Sequence, residues 1–431
     1  MQENQLNPTE TKRIAVIGSG ISGLATAYLL NPRHDVTLFE AADYAGGHTH
    51  TVDIEVDGQS FPVDTGFLVC NRRTYPNLLG LLAELGITLH PSDMGFSVSA
   101  GEGELEWAGS NLNTVFAQRS NLLSPGFYGM LADILRFNRH AERYLQQCHV
   151  TPCTLGELVQ REGYRPRFLQ HYLLPMAAAI WSSPMRDILA FPAETFLRFC
   201  HNHGLLQVNQ RPQWYTIPGG ARRYVERMLA TLKDVRLNTP VLSVSRGPQQ
   251  AVVISAHGSE SFDAVVFATH APDTLKILSD PSQAEQSLLS AVRYQRNLAI
   301  LHRDPGLLPR RRRAWSAWNY LIQNQPTEPQ QCCVTYLLNK LQPLPVSSPV
   351  MVTLNPPRLP DSNLIDGSFV YEHPLMDQAA MNAQQNLASL QGQQHCWYAG
   401  AWTGYGFHED GLKSALRVAR DFGVSPSWGV L

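Results

Sequence analysis

Gly18-Ser19-Gly20-Ile21-Ser22-Gly23 spells GxGxxG directly after the short apolar run Ile14-Ala15-Val16-Ile17. The run reads as a buried parallel strand. A helix is expected from about Ser22 to Leu30, stopped by Asn31-Pro32. Val36–Phe39 reads as the next buried strand and completes a βαβ opening. In such a turn Gly18 permits the tight bend, Gly20 leaves room for a pyrophosphate, and Gly23 lets the helix pack on the strand. The helix start offers unpaired N–H groups to phosphate. Glu40 closes the second strand twenty residues after Gly20. An acid there accepts hydrogen bonds from an adenosine ribose and disfavours a 2′-phosphate. A dinucleotide other than NADP is expected, with FAD and NAD both open at this point.

Beyond residue 72 the pattern changes. Tyr75–Leu85 reads as a helix with Thr74 as its N-cap, and Phe127–Leu145 as a long amphipathic one. Thr154-Leu155-Gly156-Glu157 has capping-box form. Residues 73–213 are therefore expected to be a largely helical insertion. From Gly219 an α/β pattern returns: a helix through Ala221–Leu232, strands at Val241–Ser245, Ala251–Ala256 and Ala264–Ala268, then strands of a second sheet at 294–303 and 332–339. Pro343–Pro360 reads as a long loop or edge strands between turns. The implied domains are 11–72, 214–285 and 394–425 for the dinucleotide, and 73–213 with 286–393 for substrate.

Composition narrows the function classes. The formal net charge is −2 with only 16% charged residues and no dominant basic stripe, so no nucleic-acid partner is expected. Met1 to Arg13 is polar and lacks the apolar core of a signal peptide. Leu173–Trp181 is too short for a bilayer span of about 20 residues. Seven scattered cysteines with no CxxC fit reduced thiols in a cytoplasmic protein. Arg310–Arg313 reads as a solvated loop, with contact to anionic lipid head groups as the sharper alternative. Trp181, Trp214, Trp315 and Trp318 read as core or pocket wall. His48-Thr49-His50 has no evident further ligands, so no metal is expected.

Three further segments carry the argument. Ala45-Gly46-Gly47-His48-Thr49 supplies paired glycines that let the chain pass close over a pyrophosphate. Asp64-Thr65-Gly66-Phe67 follows. Near the other end, Trp397–Leu412 runs from a strand through a glycine-rich loop into helical spacing at Leu412, Ala415, Leu416, Ala419 and Phe422. Together these motifs resemble the FAD-dependent amine oxidase superfamily over nearly the whole chain. The resemblance implies an α/β, Rossmann-type FAD-binding domain with an inserted α+β substrate domain, the two-domain architecture of amine oxidases and p-hydroxybenzoate hydroxylase. It implies non-covalent FAD, since no cysteine adjoins Tyr371. It places cofactor contacts at Gly18, Ser19, Gly20, Ser22, Gly23, Glu40, Ala41, Gly46, Gly47, His48, Thr49, Thr65, Gly66, Phe67, Val241, Thr269, Gly400, Asp410, Gly411 and Leu412.

In this superfamily a helix start near the carboxyl end steadies the reduced flavin ring. The N–H groups of Gly411 and Leu412 are the expected donors here. Two departures stand out: His48 occupies the usual place of an arginine, and Ala401 that of an acid. The strand Asn297–Arg303 lacks the lysine many amine oxidases carry, with Asn297 in its place. Tyr371 corresponds to one aromatic of a substrate cage, with Phe407 and His408 near the other. His408 with Glu409 and Asp410 reads either as a proton-handling cluster or, for Asp410 above all, as helix capping.

Gly46–Thr49, Trp181-Ser182, Arg211–Trp214, Pro218–Gly220, Trp315–Tyr320 and Gly404–Gly411 are most similar to a bacterial branch of predicted NAD/FAD-binding oxidoreductases. That branch is similar to a domain fused to plant cyclopropane fatty acid synthases and often neighbours such enzymes. The expected activity is hydride transfer from a largely apolar small molecule, fatty-acyl or isoprenoid, to flavin N5. An amine oxidase releasing hydrogen peroxide, and an FAD-containing partner of a lipid-modifying methyltransferase, are the alternatives. Peripheral contact with the membrane's inner face or with a lipid enzyme belongs to the same expectation.

Overall fold

The computed structural model describes residues 10–181, 185–207, 211–322 and 333–431; Ser182 and Cys332 lie outside them. Five parallel strands form the first sheet, in the order Asp234–Arg236, Asp35–Phe39, Arg13–Ile17, Ala264–Phe267, Cys396–Tyr398. Ile14 to Ile17 and Ala264 to Phe267 are buried, as strands covered on both faces must be. The strand nearest the carboxyl end thus lies two places from the first. The helix Ile21–Leu30 follows the glycine turn, and the helix His408–Asp421 packs against it. Their seam depends on Gly411: a Cβ there would lie 2.7 Å from Ile21 Cγ2 and 2.8 Å from Ser22 Oγ.

The second sheet has seven strands, in the order Ile365–Pro374, Tyr294–His302, Met351–Leu354, Val334–Leu337, Trp318–Ile322, Phe96–Ala100, Leu105–Ala108. Three local expectations are corrected here. Residues 73–213 are helical but also donate Phe96–Ala100 and Leu105–Ala108 to this sheet. Their signal was hidden because Ser97 and Ser99 are buried, donating to Asn319 Oδ1 at 2.8 Å and Glu106 Oε1 at 3.1 Å. Met351–Leu354, inside the proline-rich stretch, is an internal strand rather than an edge, because the prolines flank it. The helix Pro76–Glu84 is capped at Tyr75, since the Thr74 hydroxyl is taken by Asn71 Nδ2. The long helix Pro125–Val150 starts at Ser124, whose hydroxyl accepts the Phe127 N–H. Thr154 and Glu157 form the expected capping box.

The arginine run is only partly a solvated loop. The Arg310 and Arg311 N–H groups and the Arg311 guanidinium bond the buried Glu106 carboxylate. Among the described residues no helix is long and apolar enough to cross a membrane. All six described cysteines are free.

Gly411→Val is expected to wedge the helix seam and lower stability by about 1–3 kcal/mol. A thermal melt within a degree of wild type would contradict the packing described.

Candidate functional site

The glycine turn has the shape the sequence demands. Gly18 sits at φ +98°, and a Cβ on Gly23 would lie 1.8 Å from Gly18 O. A Cβ on Gly20 would meet nothing within 4 Å, so the space beside it is open. Gly47, at φ +57°, covers that space, its absent Cβ 3.1 Å from Gly20 Cα. The helix Ile21–Leu30 has no acid in its first turn to compete for an anion. Glu40 lies in the same wall but is already engaged: Ser19 N–H, the Ser19 hydroxyl and Ala42 N–H all donate to it.

A cavity of about 1070 Å³ runs from this cradle between the two sheets. That lies at the top of the roughly 300–1,000 Å³ typical of small-molecule sites. Thr65, Gly66 and Phe67 form its next section, held because Phe67 N–H donates to His48 O and a Cβ on Gly66 would lie 2.1 Å from that oxygen. Tyr371 faces them, its hydroxyl 2.6 Å from Thr65 Oγ1 and 2.9 Å from His50 Nδ1. His48 and His373 stack loosely beside Tyr371, the His48 ring 5.2 and 5.3 Å from the two. His48 Nε2 and Trp402 Nε1 are buried in the wall without hydrogen-bond partners. Open space at Gly20, free N–H groups at a helix start and two orphaned ring nitrogens fit a dinucleotide with a polar ring system.

The carboxyl-end helix differs from its expected register. It starts at His408, so the Gly411 N–H is spent on Phe407 O at 3.1 Å and Leu412 is fully buried inside. The end N–H groups without a helical acceptor are those of His408 and Glu409. The three residues read as a proton-handling cluster also part company. Glu409 accepts the N–H groups of Asn77 and Leu78, capping the helix Pro76–Glu84. Asp410 accepts the Phe407 N–H, a capping role from the third helical position. His408 stacks on Phe67 at 3.8 Å, with Nε2 held by Thr49 Oγ1 and the Tyr224 hydroxyl.

Of the other expected residues, Gly46, Thr269, Gly400 and Phe407 line the cavity. Ala41, Thr49, Val241 and Asp410 do not; Val241 packs into a separate core beside Val244 and Phe262. Asn297 also misses the wall. Its amide turns inward to His373 Nδ1 at 3.1 Å and Asn355 Nδ2 at 2.8 Å. His373 is the residue this reading missed: it lies two places after Tyr371 on one strand, hence on the same face. His203 and His270 line the cavity as well. His270, Asp273 and Glu372 bring ligand-type atoms within 4.8 Å of one another, but Lys276 and Arg296 already pair with the two acids.

Farther in, the wall turns apolar: Val115, Leu131, Ile134, Met176 and Ile180, with Trp107, Trp181, Trp214 and Trp318. Trp315 instead packs with Leu308, Leu337 and Met351. No lysine lines the cavity among the described residues.

A glycine cradle at one helix start, a second helix start on the same cavity and a two-sheet frame define the class of flavin-dependent oxidoreductases. The model of the flavin containing amine oxidoreductase family matches residues 21–303, and the chain belongs to that family. It is 26% identical over 283 residues to probable polyamine oxidase 4 of Arabidopsis thaliana, covering 62% of this chain and 51% of that protein. It is 28% identical over 211 residues to carotenoid phi-ring synthase of Chlorobaculum tepidum, covering 45% and 31%. The matched stretches thus span about half and about a third of these relatives. A CLA-producing fatty acid isomerase from P. acnes has the same fold, with TM-score 0.66 and 15% identity over 95% of this chain and 98% of that one. So does putrescine oxidase bound to putrescine, with TM-score 0.67 and 15% identity over 96% and 99%.

Two outcomes follow. Gly20→Val is expected to purify folded, with a melt close to that of flavin-free wild type, yet to lose most of its flavin; retained yellow colour would refute the cradle. The second is acid sensitivity. Burial lowers His203 and His373 to about 4, His408 to about 3, and His48 well below its usual range. Below pH about 6.5 the unfolded chain takes protons these four refuse, each costing up to ~1.4 kcal/mol per pH unit. Burial raises Asp64 to about 7 and Asp410 to about 6, which acts in the opposite sense. His34, His50, His171, His270 and His302 are lowered as well, and Glu409 and Asp421 raised, so nine histidines stand against four carboxyls among the described residues and the melting temperature should fall from pH 6.5 to 4. A flat or rising profile would contradict neutral buried imidazoles.

Proposed function

We propose that this chain is an FAD-dependent oxidoreductase that removes a hydride from a largely apolar substrate, an acyl or isoprenoid chain, making or moving a double bond. The observation that carries this reading is the largely apolar wall away from the cradle, formed by Leu131, Ile134, Met176 and Ile180 with Asn138 and Arg211 among its few polar members. Burying an ammonium or a carboxylate against such a wall without a partner is costly. The acids that do line the cavity are engaged: Glu40 by N–H groups, Asp93 by Gly95 N–H and Lys340, Asp273 by Lys276, Glu372 by His270 and Arg296.

FAD, when bound, supplies the hydride acceptor. Gly18, Ser19, Gly20, Gly46 and Gly47 would hold its phosphates, and Glu40 stands at the ribose end. The N–H groups of His408 and Glu409 would face developing negative charge. His48, with Nε2 unpaired, would hydrogen-bond the bound group, and the proton that desaturation releases would leave to water. The fatty acid isomerase and the carotenoid enzyme among the similar proteins act, by their names, on apolar molecules, which agrees. Amine oxidation is the second reading, supported by the polyamine and putrescine oxidases and by Tyr371 and Phe407 in the wall.

Anaerobic bleaching of the bound flavin tests the two. Acyl or isoprenoid candidates should bleach it where simple amines do not; the reverse pattern would replace this reading with the second. Ile134→Asp, on the helix Pro125–Val150 away from the glycine loops, should raise KM for the apolar substrate by roughly 10–100-fold, with flavin content unchanged.

A further inference from the structure

We propose that the surface around Leu112, Leu122, Leu123 and Tyr128 docks on an anionic phospholipid bilayer, so that substrate enters the cavity from lipid. Leu112 and Leu123 are 78% and 88% exposed, and Leu122 and Tyr128 are 46% and 47% exposed. Single exposed apolar side chains are ordinary, but a connected group of them marks a contact surface. The group is connected. The Tyr128 hydroxyl donates to Leu122 O at 3.1 Å, and the Phe116 ring stands 5.9 Å from that of Tyr128. Arg119 ties the turn Leu112–Val115 to this surface by donating to Asn113 Oδ1 and Phe116 O.

Charge identifies the occupant. The turn Arg312–Ala314 packs beside Leu112–Val115. Arg119, Arg310, Arg312 and Arg313 are all exposed here. The nearby acids are fewer: Glu102, paired with Arg310 at 3.3 Å, exposed Glu104, and buried Glu106, which Arg311 holds. Leucines that enter the acyl boundary, ringed by guanidiniums that meet phosphate, suit an interfacial contact with anionic lipid.

The same elements wall the cavity. Val115 lines it while Leu112, one turn earlier, points out; Leu131 and Ile134 line it from the helix whose outer face carries Tyr128 and the half-exposed Leu135. The inference rests on the apolar-substrate reading only for what travels inward.

Co-sedimentation of the flavin-loaded full chain with phosphatidylcholine vesicles, with and without phosphatidylglycerol, is the test. Binding should require phosphatidylglycerol and weaken with salt. It should drop about tenfold or more in Arg312→Glu/Arg313→Glu, and also in Leu122→Ser/Leu123→Ser, with flavin content and melting temperature unchanged. No binding, or binding that both variants keep, overturns the proposal. Capture of a lipid-modifying enzyme through these leucines without vesicle binding overturns it too, in favour of a protein dock. A protein that oxidises dispersed apolar substrate but ignores vesicles loses this inference alone. One that binds vesicles yet bleaches only with amines loses the substrate reading alone.

Discussion

The close approach of the helices Ile21–Leu30 and His408–Asp421 is the constraint on which the site depends. Only a residue without a Cβ fits at Gly411, and that contact brings two helix starts from distant parts of the chain to one cavity. Each start presents unpaired N–H groups and the positive end of a helix dipole. An anionic, elongated ligand spanning both is what such a pair is built to hold. The second start carries Glu409 and Asp410 in its first turn, which would favour the helix but not an anion in front of it. Both carboxylates are turned onto backbone N–H groups instead, at Asn77, Leu78 and Phe407. The acids therefore rigidify the frame.

What was legible in the sequence follows from how local the cause is. The glycine turn, the paired-glycine loop and the capping box at Thr154 depend on backbone geometry within a few residues, and each stands where the sequence puts it. Register across the fold was less legible. The carboxyl-end helix starts at His408 because Asp410 caps back onto Phe407, which moves the free N–H groups three residues from Gly411. Asn297 was placed by analogy to a lysine and does stand opposite Tyr371 on the same face, but its short amide is spent on Asn355 and His373 and stops beneath the cavity wall. Val241 was assigned to the cofactor, but its strand belongs to a small antiparallel sheet with its own core. Ser97 and Ser99 concealed a buried strand because their partners, Asn319 and Glu106, are distant or on a neighbouring strand.

The cavity wall has two origins, and this bears on substrate. Its cradle comes from loops at the ends of the parallel strands, where Gly18 and Gly23 leave no room for a side chain and the space beside Gly20 is kept for the ligand. Its inner half comes from the seven-stranded sheet and from the helices Pro125–Val150 and Leu174–Trp181, where one apolar side chain can replace another at small cost. A family built this way can keep the cradle while its members diverge in what they oxidise. That agrees with folds matching at TM-scores of 0.66 and 0.67 on only 15% identity, in proteins named for a fatty acid and for a diamine. Family membership therefore carries the cofactor well and the substrate poorly. For this chain the substrate argument must come from the inner wall itself, and the proposal of an apolar substrate rests on its aliphatic and tryptophan side chains beside lining acids that are already engaged.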